Sequence, residues 1–444
     1  MLKATYLIIS GFVILIAAGT VLLALPISSV DEPLSLIDAF FTATSAVCVT
    51  GLIVVDTATK FTLFGQIVIL LLLQLGGLGL ITFSVLVLLF AGRRISILQR
   101  DVISSTSVGP ITNIDLKSIA RPVILYVLIS EGLGTIFLFF AFLRYFPIPQ
   151  AFYHAIFQAV SAFCNAGFST FSDSMVRFSG DWFVCLPIMA LIVLGGMGFV
   201  VLLDVYETIK FKKPIYLHSK LVGITTIVLL VIGTLVFFAL EYGNALEEKP
   251  LHEQVLTSMF HSVTTRTAGF NTVDYFDLTH GTLIVTIFFM VIGGSPGSTA
   301  GGIKTTTIAI IFLTAWARIR GKQDPEFANR SIAKQSVVDA LTLVSLGTIF
   351  IMLVVLGLQI TELGNVPHSR VEGSLMKLSF EGVSAFGTVG LSMGATQQLT
   401  IAGKILISIT MFIGRLGPLT FFYLLGKLGK RQRYRLYPES VMVG

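Results

Sequence analysis

One pattern occurs four times along this chain of 444 residues: a long apolar segment, a short apolar segment and a second long one. About 20 apolar residues are needed to cross a bilayer as a helix, whereas about 10–14 residues cannot cross and often re-enter from the same side. The long segments lie near 5–25, 62–90, 121–143, 184–208, 220–240, 281–315, 337–360 and 401–427. The short segments lie near 34–46, 151–163, 253–264 and 372–385. The pattern predicts an all-α polytopic membrane protein with eight spans and one re-entrant helix inside each pair of spans.

Composition agrees with a membrane protein. Hydrophobic residues make up 54% of the chain and charged residues 12%, whereas a soluble protein carries about twice that share of charge. The apolar stretch after Lys3 could be a secretory signal, but it is longer than the usual apolar core of one, and we expect a retained first span. Three cysteines supply neither a disulfide framework nor metal-ligand spacing. We attribute the net charge of +6 to membrane orientation and expect no nucleic acid partner.

The repeats align on one glycine each. The short segments end in SAVCVTGL, SAFCNAGF, VTTRTAGF and SAFGTVGL, which align at Gly51, Gly167, Gly269 and Gly390. A second landmark, QLGGLG, VLGGMG, VIGGSPG or FIGRLGP, follows 24 to 28 residues later in each. Internal repetition of this kind determines the fold. It predicts four units, 1–91, 92–211, 212–319 and 320–427, followed by a basic tail, 428–444.

Basic residues are unevenly shared between the two faces that this topology defines. The face that holds both termini carries 20 of the 30 Lys and Arg residues, in Lys3, the connections 91–121, 204–220 and 316–336, and residues 427–444. Such an excess is typical of cytoplasmic loops, so we expect both termini in the cytoplasm. The opposite face has about fifteen acidic residues against eight basic ones. This balance either concentrates cations at an entrance or shows only that outer loops are less basic.

The four aligned glycines fit the narrow part of a cation pore. Helices that re-enter from outside end near the midplane, with C-terminal dipoles that favour a cation. The chain then returns through non-helical backbone, which is tolerated only where it lines a water-filled cavity. Carbonyl groups there can replace the hydration shell of an ion, and glycine adopts the positive φ that such a turn needs. Thr388-Val389-Gly390 also matches the TVG of a potassium-channel filter.

The repeat plan and the stretch TTRTAGFNT at 264–272 resemble the Trk/Ktr/HKT superfamily of potassium transporters over nearly the whole chain. Four units without extra N-terminal spans resemble the bacterial Ktr-type membrane subunit more than the longer Trk type. The resemblance implies a pseudo-fourfold arrangement around one gated, channel-like pore in the bacterial plasma membrane. K+ is then the substrate, with Na+ dependence in many members and no covalently bound cofactor. The implied K+ filter residues are Val49, Thr50, Gly51, Asn165, Ala166, Gly167, Thr267, Ala268, Gly269, Thr388, Val389 and Gly390.

The candidate filter departs from that of a potassium channel in two ways. Each repeat has one glycine where a channel has two, so fewer rings of carbonyls and looser discrimination between ions are expected. Cys48, Cys164, Arg266 and Gly387 precede the filter residues. We do not expect those side chains to bind the ion, and we interpret the two cysteines as small buried residues.

The third repeat enlarges its second landmark into a glycine-rich loop, and the fourth places a charge there. Proline and glycine break a helix, so residues 293–302 should form an intramembrane loop across the ion path. Arg415 stands where two other repeats have Gly77 and Gly196. A charge in mid-membrane faces a cavity or a partner, so Arg415 either opposes cations below the filter or locks helices by binding carbonyls. In the family these features form the gate, here Gly293, Gly294, Ser295, Pro296, Gly297, Ser298, Thr299, Ala300, Gly301, Gly302 and Arg415.

Other residues of this region allow further interpretations. Residues 293–297 satisfy G-x-S-x-G, the nucleophile elbow of hydrolases, which would require a preceding strand and a histidine partner. An intramembrane serine hydrolase is therefore an alternative from another class, although a membrane helix precedes the motif. Lys304 either caps carbonyls of the loop or faces water at its edge. Glu131 is an intramembrane acid with either a functional role or a hydrogen bond between helices.

An alternating-access secondary transporter is the second alternative, because broken helices at mid-membrane also mark that class. Its repeats are typically inverted, whereas all four here share one orientation, which favours a gated pore. The resemblance implies a homodimer on a cytosolic, nucleotide-binding ring of KtrA type. The basic stretches 92–100, 317–322 and 429–435 fit such docking or attraction to anionic membrane lipid.

Overall fold

The protein is described here by a computed structural model that covers residues 2–77, 116–364, 366–371, 373–417 and 437. The α-helices of the described part are α1 (Leu2–Ala24), α2 (Leu36–Val47), α3 (Thr57–Lys60), α4 (Leu63–Gly77), α5 (Leu116–Phe142), α6 (Ile148–Cys164), α7 (Trp182–Gly196), α8 (Phe199–Phe211), α9 (Leu217–Glu241), α10 (Leu251–Thr264), α11 (His280–Val291), α12 (Thr305–Ile319), α13 (Lys334–Leu363), α14 (Ser374–Gly387) and α15 (Ile401–Leu416). The 3-10 helices there are Pro26–Ser28, Val176–Phe178, Tyr275–Asp277, His368–Arg370 and Thr396–Gln398. A hairpin pairs β1 (Glu326–Phe327) with β2 (Arg330–Ser331). The predicted unit boundary at residues 91 and 92, the basic stretch 92–100 and the tail 428–444, apart from Tyr437, lie outside the described residues.

A short helix is present at each of the four places where the sequence predicts one: α2, α6, α10 and α14. Helix α2 begins at Ser35, whose Oγ accepts a hydrogen bond of 3.1 Å from the Asp38 N–H and so caps a free donor. Helices α6 and α10 begin directly after Pro147 and Pro250, whose fixed φ of −64° leads into the first turn. The prediction of four short helices is therefore confirmed.

Two of the predicted spans are broken. The segment 281–315 is divided into α11 and α12 by residues 292–304, as its composition predicts. The segment 184–208, which the sequence predicts as one span, consists of α7 and α8, which meet at an angle of 95°. Gly198, between them, has a φ of +81°, which a side chain would disfavour, and this conformation turns the chain. That part of the predicted topology is corrected accordingly.

Three described helices are long and apolar enough to cross a membrane: Pro122–Phe142 within α5, together with α9 and α13. Counting the bent pair α7 and α8 as one span makes four. Helices α4, α11 and α12 are apolar but only 12 to 15 residues long, in α11 and α12 because the intervening loop divides the segment. Length and composition of the described helices thus account for three or four of the eight predicted spans.

The helices contact one another in a closed order. The helix that follows each short helix packs against the next short helix along the chain: α4 on α6, α7 on α10, and α11 on α14. Helix α15 then packs back on α2, so the last group meets the first. An ion pair of 2.6 Å between Lys404 Nζ and Asp38 Oδ1 lies at this closing contact, with both side chains largely shielded. The four groups therefore surround a common centre.

A polar tie joins the two long helices of each group at the end from which the short helix starts. In the third and fourth groups a glutamate accepts from the N–H and hydroxyl of a helix-capping threonine 38 residues later, Glu241 from Thr279 and Glu362 from Thr400. In the first group the Thr62 hydroxyl donates to the Ile27 carbonyl at 2.6 Å. The equivalent position of each tie is further evidence of structural repetition.

The tie of the second group is an ionic cluster at the start of α7. Asp181 caps that helix by accepting from the Phe183 N–H at 2.9 Å, and it also accepts from Arg144 and Tyr145. Burial alone would raise the pKa of the Asp181 carboxyl, but the hydrogen bonds from Arg144, Tyr145 and Phe183 together lower it. Asp181 is therefore anionic at neutral pH and holds the end of α5 to the start of α7.

We expect Glu241→Ala to destabilise the protein, because the buried Thr279 tie would lose its acceptor. Hydrogen bonds to a charged acceptor contribute about 1.5–3 kcal/mol, so a thermal transition measured in detergent should fall by several degrees. Glu247→Ala is the matched control, since Glu247 is exposed on the following turn. Equal transitions for the two variants would contradict the assigned role of the tie.

Candidate ion-conduction site

The four segments that follow the short helices share one backbone conformation. Each aligned glycine has positive φ: +90° at Gly51, +69° at Gly167, +79° at Gly269 and +91° at Gly390. The residue two positions earlier is also left-handed: φ is +56° at Val49, +59° at Asn165, +70° at Thr267 and +50° at Thr388. Sequence reasoning anticipates the glycines but not the left-handed residues before them, because β-branched side chains rarely adopt this conformation. Left-handed residues at alternate positions turn successive carbonyl groups toward one side, as an ion filter requires.

A hydroxyl group fixes each segment to its own helix. Ser45 Oγ and Ser384 Oγ each accept from the N–H of the aligned glycine six residues later, at 3.1 Å in both cases. Ser161 Oγ donates instead to the Phe168 carbonyl at 2.7 Å. These are the serines of the Ser-Ala pairs in the aligned sequences. Their hydrogen bonds replace those that the segment loses when it leaves the helix.

In the third segment the residue whose hydroxyl fixes the segment stands five positions before the aligned glycine, and not six as in the other repeats. Val263 stands where the other repeats have serine, and Thr264, one residue later, donates to the Phe270 carbonyl at 2.5 Å. The Ala268 N–H bonds to the Thr264 carbonyl, four residues back, whereas the equivalent bond of the first segment, from Thr50 to Ser45, spans five. Alignment of the four sequences on the glycine therefore does not reveal that the bonding residue of the third segment is displaced by one position.

The four glycines meet in a closed ring. A Cβ added to Gly51 would lie 2.4 Å from the Ala166 carbonyl oxygen, and one at Gly167 would lie 2.8 Å from Gly269 Cα. At Gly269 it would lie 2.7 Å from the Val389 oxygen, and at Gly390 2.1 Å from the Thr50 oxygen. All of these separations are shorter than real Cβ contacts. The backbones therefore approach so closely that only glycine fits at the ring.

One cavity of about 290 Å³ touches all four glycines. Its other lining residues follow the glycines along the chain and include Asp56 and Asp274. The carboxylates of these two residues cap short helical turns, through the N–H groups of Ala58 and Phe276. The cavity is therefore the mouth of the ring on the side where the return segments leave it, and its acidic lining favours cations.

Polar side chains at one equivalent position of three short helices hold the return segments in place, and sequence reasoning missed them. Gln158 Nε2 donates to Ser169 Oγ at 2.8 Å, and His261 Nδ1 lies 3.1 Å from the Tyr275 hydroxyl. Glu381 accepts from Ser392 Oγ, from Thr396 Oγ1 at 2.6 Å and from the Met393 N–H at 3.2 Å. We call Gln158, His261 and Glu381 the support residues. The signal that could have revealed them is a polar residue eight or nine positions before each aligned glycine, within the short helix.

The first short helix has Thr42 at the support position. Its hydroxyl is buried, and no partner for it occurs among the described residues. The hydroxyls of Thr50, Thr267 and Thr388 in the candidate filter are likewise buried without a partner in the described part of the chain. Asn165 differs from these threonines, because its amide nitrogen, oriented as its neighbours require, donates to the Ile192 carbonyl of α7 at 3.1 Å. Asn165 thus contributes its backbone to the ring, while its side chain is hydrogen-bonded to α7.

The glycine-rich segment between α11 and α12 lies against the ring on the side opposite the cavity. Two backbone hydrogen bonds join the two ends of this segment. The Gly293 N–H donates to the Ile303 carbonyl at 2.8 Å, and the Ile303 N–H donates to the Val291 carbonyl at 3.1 Å. The Thr299 N–H donates to the Gly195 carbonyl at 3.3 Å. A Cβ at Gly301 would lie 2.2 Å from Thr388 Oγ1. The loop therefore reaches from the second repeat to the fourth, directly beneath a candidate filter residue.

Two cations bind consecutive carbonyls of this loop. The buried Arg415 guanidinium donates to the Thr299 carbonyl and, from its other terminal nitrogen, to the Gly76 carbonyl of α4. Lys304 Nζ donates to the Ala300 carbonyl at 2.7 Å, which selects the capping interpretation of Lys304. Arg415 thus joins the loop of the third repeat to helices of the fourth and first, and the lock interpretation of Arg415 describes this geometry.

The remaining polar candidates have structural contacts. Ser295 Oγ donates to the carbonyls of Gly196 and Met197, which are the bonds of a packing hydroxyl and not those of a nucleophile beside a base. Glu131 accepts from Gln74 Nε2 at 3.1 Å, a hydrogen bond between α5 and α4. Cys48 and Cys164 are buried free thiols, as expected.

Comparisons with known proteins agree with this architecture. The family model described as TrkH, cation transport protein, matches residues 2–428. Ktr system potassium uptake protein B of Bacillus subtilis is 40% identical over 97% of this chain and 94% of its own length. Potassium/sodium uptake protein NtpJ of Enterococcus hirae is 38% identical over 100% of this chain and 98% of its own length. The crystal structure of the potassium transporter TrkH from Vibrio parahaemolyticus matches 95% of this chain and 84% of its own, with a TM-score of 0.72 at 20% identity, and so supports the fold. The chain belongs to the TrkH family of cation transport proteins.

Proposed function

We propose that this chain takes up potassium across the bacterial cell membrane through a gated, channel-like pore. The observation that carries the proposal is the closed ring of four left-handed glycine segments, with an acidic cavity on one side and a bonded loop on the other. Relatives that match nearly the whole chain are named potassium uptake and potassium/sodium uptake proteins. In the proposed pore, carbonyls of the ring replace the water around K+.

The proposed topology has four repeats in a pseudo-fourfold arrangement, with eight spans and both termini in the cytoplasm. The cavity then faces outward, and the loop lies on the cytoplasmic side of the ring. All four short helices end at the same ring, in line with a pore and not with inverted repeats.

We also propose a homodimer that docks on a cytosolic nucleotide-binding ring through the connection 316–336 and the tail. Two relatives are named as proteins of a Ktr system, which supports a partner subunit.

The loop 293–302 and Arg415 form the proposed gate. In the described conformation the loop is held by α7 through Gly195, by Arg415 and by Lys304. A fixed positive charge beneath a cation filter opposes conduction, and an unpaired charge in mid-membrane costs about 2.5–3.5 kcal/mol. Opening therefore requires new partners for Arg415, such as water in the open pore.

Changing each ring glycine to serine should weaken the preference for K+ over Na+ in liposomes that contain the purified chain. Positive φ costs a side chain about 1–2 kcal/mol, and the added Cβ would meet a neighbouring backbone. We expect a loss of selectivity of roughly tenfold, largest for Gly390→Ser, where the overlap is closest.

Gly394→Ser is the matched control for the ring variants. Gly394 has a φ of +78°, but a Cβ there would meet nothing within 4 Å. It introduces the same backbone strain without crowding the ring, so selectivity should stay as in the wild type. Unchanged competition between K+ and Na+ in all four ring variants would refute the filter assignment.

Glu381→Ala should also reduce selectivity, because the return segment of the fourth repeat would lose the acceptor for Ser392, Met393 and Thr396. Glu381→Gln keeps one acceptor oxygen and should have an intermediate effect. Thr42→Ala at the equivalent position, where the hydroxyl has no described partner, should leave selectivity unchanged. The ratio of K+ to Na+ uptake measures the effect, and equal ratios for Glu381→Ala and Thr42→Ala would count against the support role.

Arg415→Ala, or deletion of part of 295–301, should raise maximal K+ flux with little change in apparent K+ affinity. Both changes remove obstruction beneath the ring without altering the carbonyls that bind the ion. Arg415→Lys keeps the charge but lacks the planar guanidinium whose two terminal nitrogens reach the separate Thr299 and Gly76 carbonyls, and it should fall between Arg415→Ala and the wild type. Arg320→Ala, at the exposed end of α12, serves as the control. Lower flux in every gate variant would mean that the loop stabilises the structure and does not obstruct K+ flux.

A further inference from the structure

Helix α8 leaves the bundle at an unusual angle. Helix α7 packs along α5, which contains the span Pro122–Phe142, and the bend of 95° turns α8 away from that direction. With 15 residues, α7 is roughly 22 Å long, less than the ≈ 30 Å of a hydrocarbon core. A helix of this length that starts at one membrane surface ends short of the other, so the bend turns the 13 residues of α8 away from the membrane normal near that second surface.

One face of α8 is exposed and combines apolar, aromatic and basic side chains. Tyr206, Ile209 and Lys210 share this face by their spacing of three and four residues, and Ile209 is 76% exposed. The opposite face is buried through Val201 and Asp204. Lys210 Nζ lies 2.9 Å from the Tyr206 hydroxyl and 5.3 Å from the centre of its ring. Exposed large apolar side chains of this kind need a cover other than water.

The end of α8 adds further basic and aromatic groups. Lys210, Lys212 and Lys213 are all exposed, and Lys210 and Lys213 lie over the exposed ring of Phe211. Of the two acids of α8, Asp204 is buried and accepts from the Tyr216 N–H, while Glu207 pairs with Lys213. The exposed surface of α8 and its end is therefore net positive. Lysine beside exposed aromatic and aliphatic groups is typical of helices at a membrane surface.

The start of α8 is bonded to the proposed gate. The Phe199 N–H donates to the Gly297 carbonyl at 3.2 Å, and Ser295 Oγ donates to the Met197 carbonyl just before the helix. A Cβ at Gly198 would lie 2.6 Å from the Pro296 oxygen, and one at Gly297 would lie 2.8 Å from the Phe199 ring. A displacement of α8 must therefore move the loop or break these contacts.

From these contacts we infer that α8 lies on the cytoplasmic surface of the membrane, binds anionic lipid headgroups, and holds the gating loop in its closed position. Ile209 and the rings of Tyr206 and Phe211 enter the headgroup region, while the three lysines contact lipid phosphate. Anchoring favours the closed loop, because the bonds from Phe199 and to Met197 exist with the loop beneath the ring. This inference rests on the proposed function for the gate and for the cytoplasmic side, but not for the contact of α8 with a membrane surface.

The position of α8 can be measured with a spin label at Ile209→Cys in liposomes that contain phosphatidylglycerol. The three native cysteines are buried, so the unsubstituted chain is the labelling blank. Leu356→Cys on the exposed side of α13 and Gln323→Cys beside the hairpin give the lipid and water references. The label at residue 209 should be accessible to oxygen and protected from a water-soluble nickel complex. Accessibility like that of residue 323 would overturn the inference and would indicate a face for a soluble protein.

The link to the gate is tested by K+ flux in phosphatidylcholine liposomes with and without phosphatidylglycerol. We expect anionic lipid to lower wild-type flux several-fold, since each lysine near such a surface shifts an equilibrium by up to roughly fivefold. The combined variant Lys210→Gln, Lys212→Gln, Lys213→Gln should lose this dependence. Lys60→Gln, Arg177→Gln, Arg370→Gln removes the same charge on the side from which the short helices start and should keep it.

The outcomes separate the two proposals. Equal lipid dependence in both triple variants, or higher flux with anionic lipid, would overturn the role of α8 in holding the gate. Absence of K+ flux in every liposome would refute the proposed function instead, and the spin-label measurement would still decide where α8 lies.

Discussion

Backbone hydrogen bonding without water is the constraint on which the rest of this structure depends. A peptide group that leaves helical geometry inside a membrane must find a partner in the protein. Here four segments leave their helices at the same place, and each is satisfied by a nearby hydroxyl and by its own helix end. In the pore that we propose, carbonyls at the ring stay available for an ion. The architecture would then separate backbone that is paired for stability from backbone left free for conduction.

The same constraint explains the polar groups around the ring. The support residues bond the return segments, so buried glutamine, histidine and glutamate side chains occur in otherwise apolar surroundings. Beneath the ring, Arg415 and Lys304 occupy carbonyls that the irregular loop would otherwise leave unpaired. If the loop is the gate that we propose, a cation that satisfies carbonyls in the described conformation must lose those bonds when the loop opens. Closure and backbone satisfaction would then be one interaction, as expected of a loop with two distinct states.

Much of this organisation could be predicted from the sequence, because it follows from segment length and from glycine. The short segment expected at 34–46 is α2 (Leu36–Val47), and the break expected at 293–302 separates α11 from α12. The bend between α7 and α8 could not be predicted, since GGMG differs little from GGLG of the first repeat. What distinguishes Gly198 is its contact with Pro296, almost a hundred residues later.

The left-handed valine and threonines and the support residues were missed for a related reason. Local preference argues against the conformation of Val49, and only the surrounding ring imposes it. Gln158 and Glu381 bond residues 11 to 15 positions away, across a turn with no helical or strand periodicity. The roles of the filter and gate residues stay predictions, whereas their positions follow from the packing.

The closing contact between α15 and α2, with its Lys404–Asp38 ion pair, makes one covalent chain form the whole ring. In a ring of four identical subunits, every inherited change appears four times. Here a change alters one quadrant only, so the ten-residue loop, the single arginine and the bent helix could each arise once. Four such loops would have to share the space beneath one ring. Unequal quadrants therefore leave room beneath the ring for one loop of this size, which four identical quadrants would not.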